Sequence, residues 1–393
     1  KLGEFFSMPV MIAGNLAIDE PLVRASNLAA FAASVGAFAL WLGRQFGGGL
    51  ALAFVLVALA ITPLRFFHMP PTSYPFFPTV QIVLLLVCLM GARRRGAAGA
   101  LAASGLTLAM LSSEYTLLFG AALIVFELSR EARVSPAIVR DPRVLALGMA
   151  GLGHVVFRAL ATGAYGDGGY LAISGEGELG RVLQVIAFHT LNGTALGPAG
   201  FPLRPDGVDM ADRVRAVAVA AGTGLAVVLA APTLRAARPS ALPVLTLAAM
   251  LALALTVPIA LLAKYRAWCS EPALCAYLDS RYAGWAAMAA MALPLVWAAR
   301  WLPAAAPALA LAALAGLTAV QNGAVAAEMR AWREPWLQAE HSYCEGGAAW
   351  DGFLASEAAR GIPFHAVDGR TRPDYWAAWA LGVTCATGLG DRP

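Results

Sequence analysis

The chain has 393 residues, 59% of them apolar and 13% charged, a formal net charge of +4 and a mean hydropathy of +0.67. A soluble domain carries about 25% charged residues, so the composition excludes a soluble globular protein. The basic residues are almost all Arg, Lys standing only at 1 and 264, and they are spread over short loops rather than interleaved with aromatics, which excludes a nucleic-acid-binding surface.

In chain order, apolar runs of membrane-crossing length are expected at residues 24–42, 48–63, 77–92, 96–112, 115–128, 144–163, 214–234, 241–263, 283–302 and 304–327. They are rich in Ala, Leu and Val and do not alternate, so the spans are helices and not barrel strands. The expected fold is all-α: a polytopic transmembrane helical bundle of about ten spans over residues 1–328, with a polar C-terminal tail at 329–393. The apolar segment before the first span holds Pro9 and ends at Asp19-Glu20, which reads as half-buried at an interface. The stretch RFFHMPPTSYPFFPT after the second run carries four prolines and excludes a regular helix. A Gly-rich polar region at 164–213 is expected as a large outer loop. Within it, residues 177–191 set Glu178, Arg181 and Gln184 against Leu179, Val182, Leu183 and Ile186, the pattern of a helix lying in the membrane interface. The run at 283–302 carries Pro294, where a kink is expected.

Arginine placement orients the chain. Arg93–Arg95, Arg130, Arg133, Arg140, Arg143, Arg235, Arg238 and Arg300 fall on one side if the spans alternate, and that side is expected to be cytoplasmic. Together with the Arg, Ala and Gly usage of a GC-rich genome, this points to a bacterial inner membrane with the tail outside the cytoplasm. The expected outer side receives Cys269, Cys275, Cys344 and Cys385, and only Cys88 lies in a span. Four cysteines in an oxidising compartment point to two disulfides. Proximity favours Cys269–Cys275 and Cys344–Cys385 among the three connectivities; unpaired thiols are the alternative. No CxxC spacing is present, so no metal site is expected, although a divalent ion is left open.

Charges near membrane depth are functional suspects. Glu114 stands at a helix corner, where it either caps a helix or meets substrate. His154 and Arg158 are four apart on one helical face; they line a polar cavity, or Arg158 snorkels outward. Arg281, with Tyr282, stands one residue before a span at headgroup level, where a guanidinium binds phosphate bidentately or anchors the helix beside Trp285. Asp19 and Glu20 offer carboxylates or a favourable helix-start charge. His189 lies in the large loop. The Walker A pattern is absent, so ATP-driven transport in this chain is not supported, and GxSxG and HExxH are absent as well.

Residues 18–44, IDEPLVRASNLAAFAASVGAFALWLGR, resemble the second-span region of GT-C-type membrane glycosyltransferases. LTLAMLSSEYTLLFGAALIVFEL is similar to the helix–acid–helix corner of that family, with Glu114 in the acid's place. LDSRYAGWAAMAAMALPLVW is similar to the start of a late helix in the branch that uses dolichyl-phosphate mannose, with Tyr282 directly after Arg281. The resemblance implies a multi-helix fold with an interfacial helix in a large outer loop. It also implies transfer of a sugar from a polyprenyl-phosphate donor in the membrane lipid to an acceptor outside the cytoplasm. In such a site a carboxylate acts as base and an Arg stabilises the departing lipid-phosphate; Asp19, Glu20 and Glu114 are candidates for the first role and Arg281 for the second. Tyr282, His154, Arg158 and His189 are the further substrate-binding candidates. The family's catalytic carboxylate follows its first span, and this chain reads as beginning after that point. The alternatives are a non-catalytic membrane subunit, with Trp332, Trp336, Trp350, Trp376 and Trp379 as a docking surface for a protein partner, or a transporter or lipid-linked polysaccharide polymerase or ligase.

Overall fold

In the computed structural model, the described residues are 21–63, 79–94, 96–131, 136–161, 178–197, 208–261, 266, 269, 278–345 and 347–356. They form helices and turns, with no strand among them. The helices are α1 (Pro21–Phe46), α2 (Gly48–Ile61), α3 (Thr79–Gly91), α4 (Ala97–Leu111), α5 (Glu114–Arg130), α6 (Pro142–Ala161), α7 (Glu178–Asn192), α8 (Met210–Ala236), α9 (Ala241–Ala260), α10 (Leu278–Trp301), α11 (Ala305–Glu345) and α12 (Gly347–Leu354). A 3₁₀ turn, Pro136–Arg140, leads into α6.

Among the described residues, five segments are long and apolar enough to cross a membrane: Ala25–Phe46, Met210–Ala236, Ala241–Ala260, Ala283–Trp301 and Ala305–Ala327. The protein is therefore a multi-pass helical membrane protein. α2, α3 and α4 are as apolar but shorter. At 1.5 Å per residue the 14 residues of α2 reach about 21 Å, short of a hydrocarbon core about 30 Å thick. Apolar side chains such as Val217, Leu229, Leu242, Leu253 and Leu309 are exposed on the longer helices, as lipid-facing positions require.

Local chemistry sets the helix ends. Gly47, at φ 93°, is the single residue between α1 and α2, a backbone state that L side chains rarely adopt. The Ser113 hydroxyl accepts from Thr116 N at 3.1 Å and caps α5, with Glu114 in its first turn and Arg130 in its last, both favourable to the helix dipole. Asp209 caps α8 by accepting from Asp212 N at 2.7 Å.

The chain divides into two compact units, Lys1–Pro205 with Asp209–Asn322, and Asp206–Val208 with Gly323–Pro393. In the first unit α1, α3, α4, α5 and α6 pack in one group and α2, α7, α8, α9 and α10 in another, joined by α1 on α2 and by α5 on α9. Phe38 of α1 is the hub. It meets Phe54 of α2 and Trp285 of α10, each at 5.0 Å between ring centroids, and Phe119 of α5 at 5.9 Å. All four residues are buried. In the second unit, His341 pairs with Glu345 at 3.1 Å across one helical turn, and Trp350 stacks on Phe353 at 5.5 Å.

Two helices extend past their apolar runs. α10 begins at Leu278, so Arg281 and Tyr282 lie inside its first turns rather than ahead of it. The apolar run marks where the span starts, at Ala283, but the helix extends beyond it because polar residues continue a helix as readily outside hydrocarbon. For the same reason α11 runs unbroken from Ala305 to Glu345, across the boundary expected at 328/329. α10 also passes Pro294 as a single helix.

Candidate functional site

Glu127 joins the ends of α1, α3 and α5 to the start of α6, and short turns join α1 to α2 and α3 to α4, so this part of the bundle has two ends. The ends of α1, α3, α5 and α8 and the starts of α2, α4 and α6 carry the Arg-rich turns. The other end holds the start of α5, the ends of α2 and α9, the start of α10, and α7 with the turn that follows it.

At this second end α7 lies against α9 and α10. Its Val185 and His189 are buried, whereas Leu179, Leu183 and Leu191 are exposed, so the helix is apolar on two sides and polar at Arg181 and Gln184. The turn after α7 is tied to α2, Ala195 N donating to Ile61 O at 2.8 Å. Its Gly193 presses on Gly284 of α10: a Cβ at position 284 would stand 2.5 Å from the Gly193 carbonyl oxygen. Gly284 is one helical turn past Arg281, so this contact fixes where the end of α7 meets the first turns of α10. Gly284→Leu is expected to push the turn away and cost about 1–3 kcal/mol of overpacking, read as a lower melting temperature in detergent. A melting temperature equal to that of the parent protein would refute the close contact.

Buried polar groups gather here. His189 Nε2 lies 3.3 Å from Cys269 Sγ. Cys269 is disulfide-bonded, and a disulfide sulfur only accepts, so the proton is on Nε2. Arg266 donates to Ala260 O at 3.1 Å and Leu261 O at 2.8 Å, closing the carbonyl end of α9. Asn192 and Thr194 are buried beside them in sequence, and Asn322 donates to Thr62 O at 3.3 Å.

The remaining sequence candidates separate. His154 is buried, and its Nε2 donates to Met110 O at 3.0 Å, tying α6 to the end of α4. Glu114 opens α5 at half-buried depth. His154 and His189 are thus placed on different helix contacts. Asp19, Glu20, Cys275 and Cys385 lie outside the described residues, as do the side chains of Arg158, Arg281, Tyr282 and Cys344. The same holds for the disulfide pairings, most of the 164–213 loop before α7, and Trp376 and Trp379 of the tail. Among the described residues, no group of three or more His, Cys, Asp or Glu side chains is placed to hold a metal ion.

Sequence reading missed a second cluster, at the Arg-rich end. Glu127 of α5 is 1% exposed and gathers four donors: Trp41 Nε1 at 2.8 Å, Gln45 Nε2 at 3.0 Å, Arg143 at 2.8 Å and Arg93 at 3.1 Å. Arg143, buried at the start of α6, also binds Glu131 at 2.9 Å and Asp141 at 2.7 Å. The Arg143 hydrogen bonds hold the Glu131 and Asp141 carboxyls below their ordinary range, against the opposing effect of burial. α1, α3, α5 and α6 are thereby clasped at one end. The signal was a Glu placed inside an apolar run, which is costly unless paired. Glu127, Glu131, Arg93 and Arg143 each pair across helices, and Asp141 holds Arg143 from the turn before α6, which makes the cluster a structural clasp.

No family model matches the chain, and no curated protein or solved structure matches it at a significant level.

Proposed function

We propose that the protein is a membrane glycosyltransferase that moves a sugar from a polyprenyl-phosphate carrier to an acceptor. The single observation that carries the proposal is the seating of α7. It is an amphipathic helix with exposed leucines, packed on α9 and α10 and locked through Gly193 and Gly284 one turn from Arg281. An apolar helix face at that position suits a surface along which a long polyprenyl chain is led, with a basic residue at headgroup level for the phosphate. In this proposal α1–α6 and α8–α11 are the ten spans, the bilayer thinning locally around the shorter helices. The Arg-rich end faces the cytoplasm, and α7 and the tail lie outside a bacterial inner membrane.

The reaction follows from these groups. The acceptor hydroxyl oxygen attacks the anomeric carbon, the carbon–oxygen bond to phosphate breaks, and the lipid-phosphate departs with the electron pair. A carboxylate takes the hydroxyl proton; Glu114, the first residue of α5, is one candidate, with Asp19 and Glu20 the others. Arg281 stabilises the phosphate charge. Mass spectrometry of lipids co-purified with the protein is the test. Polyprenyl phosphate, free or sugar-bearing, is expected in near-equal amount to protein. Its presence only at bulk-membrane abundance would rule the carrier out.

A further inference from the structure

The Arg-rich end carries a second group of cations, where the turn from α8 to α9 meets the end of α10. Arg235, in the last turn of α8, donates from Nε to Ala299 O of α10 at 3.0 Å. Its guanidinium therefore lies against the peptide that precedes Arg300, and its two terminal nitrogens are left for another acceptor. Arg238 follows in the turn. Arg300, in the last turn of α10, has its Cζ 5.0 Å from the centroid of the Trp301 ring. The start of α2 packs against the end of α8: a Cβ on Gly49 would stand 3.2 Å from Thr233 O. Arg235 and Arg238 are exposed, as are Trp297 and Trp301, which are four apart on one face of α10.

We propose that this junction binds the headgroup phosphate of an anionic glycerophospholipid. Charge is the first ground. From Val214 to Ala260 and from Ser280 to Ala327 the chain has no Asp or Glu, and none stands on α1 or α2. The nearest acids on α8 and α10, Asp212 and Asp279, stand in the first turns, at the opposite ends from Arg235 and Arg300. Among the described residues none of the three arginines forms an ion pair, whereas Arg93 and Arg143 of the clasp are held by carboxylates. Depth is the second. Arg235 and Arg300 are the last residues but one of the membrane-crossing segments Met210–Ala236 and Ala283–Trp301, and Arg238 lies between the segments Met210–Ala236 and Ala241–Ala260. These are headgroup positions, where tryptophan is also enriched. Geometry is the third. The Ala299 carbonyl restrains Arg235 and the Trp301 ring restrains Arg300 at adjoining places, so two guanidinium forks are held before a ligand arrives. Such a fork matches phosphate oxygens bidentately. Leu229, Leu242 and Leu302 are exposed nearby in the chain and suit the acyl chains. A lipid of net negative charge is favoured over a zwitterionic one, because the three cations meet no other anion. The site holds whichever reaction the protein carries out.

The test is a lipid titration of the full chain in detergent, read by native mass spectrometry. The probes are phosphatidylglycerol and phosphatidylcholine with the same acyl chains. The parent protein is expected to prefer phosphatidylglycerol. The triple variant Arg235→Gln, Arg238→Gln, Arg300→Gln should bind phosphatidylglycerol about tenfold more weakly and phosphatidylcholine unchanged. A control of equal charge, Arg44→Gln, Arg94→Gln, Arg140→Gln, removes three exposed arginines from other turns of the same end. It should stay within about twofold of the parent, since separated surface charges are screened. If loss of the Arg235 bond to Ala299 lowers the melting temperature, the double variant Arg238→Gln, Arg300→Gln keeps that bond and should still lose about fivefold. An equal loss in the two triple variants would show attraction to net charge alone and overturn the site. Equal affinity of the parent for the two lipids, or undiminished phosphatidylglycerol binding in the double variant, would overturn it as well.

Discussion

Arg143→Met is expected to destabilise the protein by about 3–5 kcal/mol, the range for breaking a buried ion pair from one side. Arg143 is a buried guanidinium bonded at once to Glu127, Glu131 and Asp141. Without it Glu127 keeps Arg93, whose side chain is 44% exposed and screened by water. Glu127→Gln should be milder, at about 1–2 kcal/mol, because an amide oxygen still accepts from Trp41 and Gln45 while Arg143 retains two carboxylates. Unfolding in mixed micelles measures both. A loss under 1 kcal/mol for Arg143→Met would show that the clasp contributes little. The clasp also sets an acid limit. Glu131 and Asp141 have folded-state pKa values below their unfolded ones, chiefly through the Arg143 hydrogen bonds. Their stabilisation is therefore complete above the ordinary carboxylate range of about pH 4 and is lost as the pH falls from there through the depressed values. The melting temperature should drop below about pH 4 in the parent protein and drop less in Arg143→Met.

Arg281→Ala is expected to lower sugar transfer from a polyprenyl-phosphate donor by at least about 100-fold while leaving the melting temperature within a degree or two of the parent. Arg281→Lys should recover part of the rate, keeping the charge but not the paired donors. The decisive measurement is kcat/KM in proteoliposomes, alongside melting. Full activity in Arg281→Ala would remove Arg281 from the site; loss of activity together with loss of folding would assign it to helix anchoring, the role open to any Arg at that depth.

Much of the fold was legible because helix formation in lipid depends on little beyond apolar length. The helix at 178–192 was visible from the spacing of Arg181, Gln184 and the leucines. What was not legible concerns ends and partners. Polar residues carried α10 and α11 past their apolar runs, so Arg281 lies within a helix although its neighbours read as loop. For His154 and Arg158 a polar cavity and an outward snorkel were both open from the sequence; the structure adds that His154 bonds the Met110 carbonyl, and no sequence pattern marks a backbone acceptor 44 residues away. Glu127 was passed over because it sits alone in an apolar run, and only tertiary proximity shows that it is fully partnered. Asp19, Glu20, Cys275 and Cys385 lie outside the described residues; Cys269 is disulfide-bonded, and its partner's side chain is among those not described.

The Phe38 hub has a consequence for how the chain is made. Its contact with Trp285 joins residues about 250 positions apart, and at roughly 5–20 residues per second the second ring is synthesised some 10–50 s after the first. Glu127, by contrast, meets Trp41 across 86 residues and Arg143 across 16. The Arg-rich ends of α1, α3, α5 and α6 are therefore available to close on one another while α10 is still on the ribosome. Phe38, Phe54 and Phe119 then wait with one side unfilled until Trp285 arrives. These separations allow the first half to assemble early and a late helix to complete it.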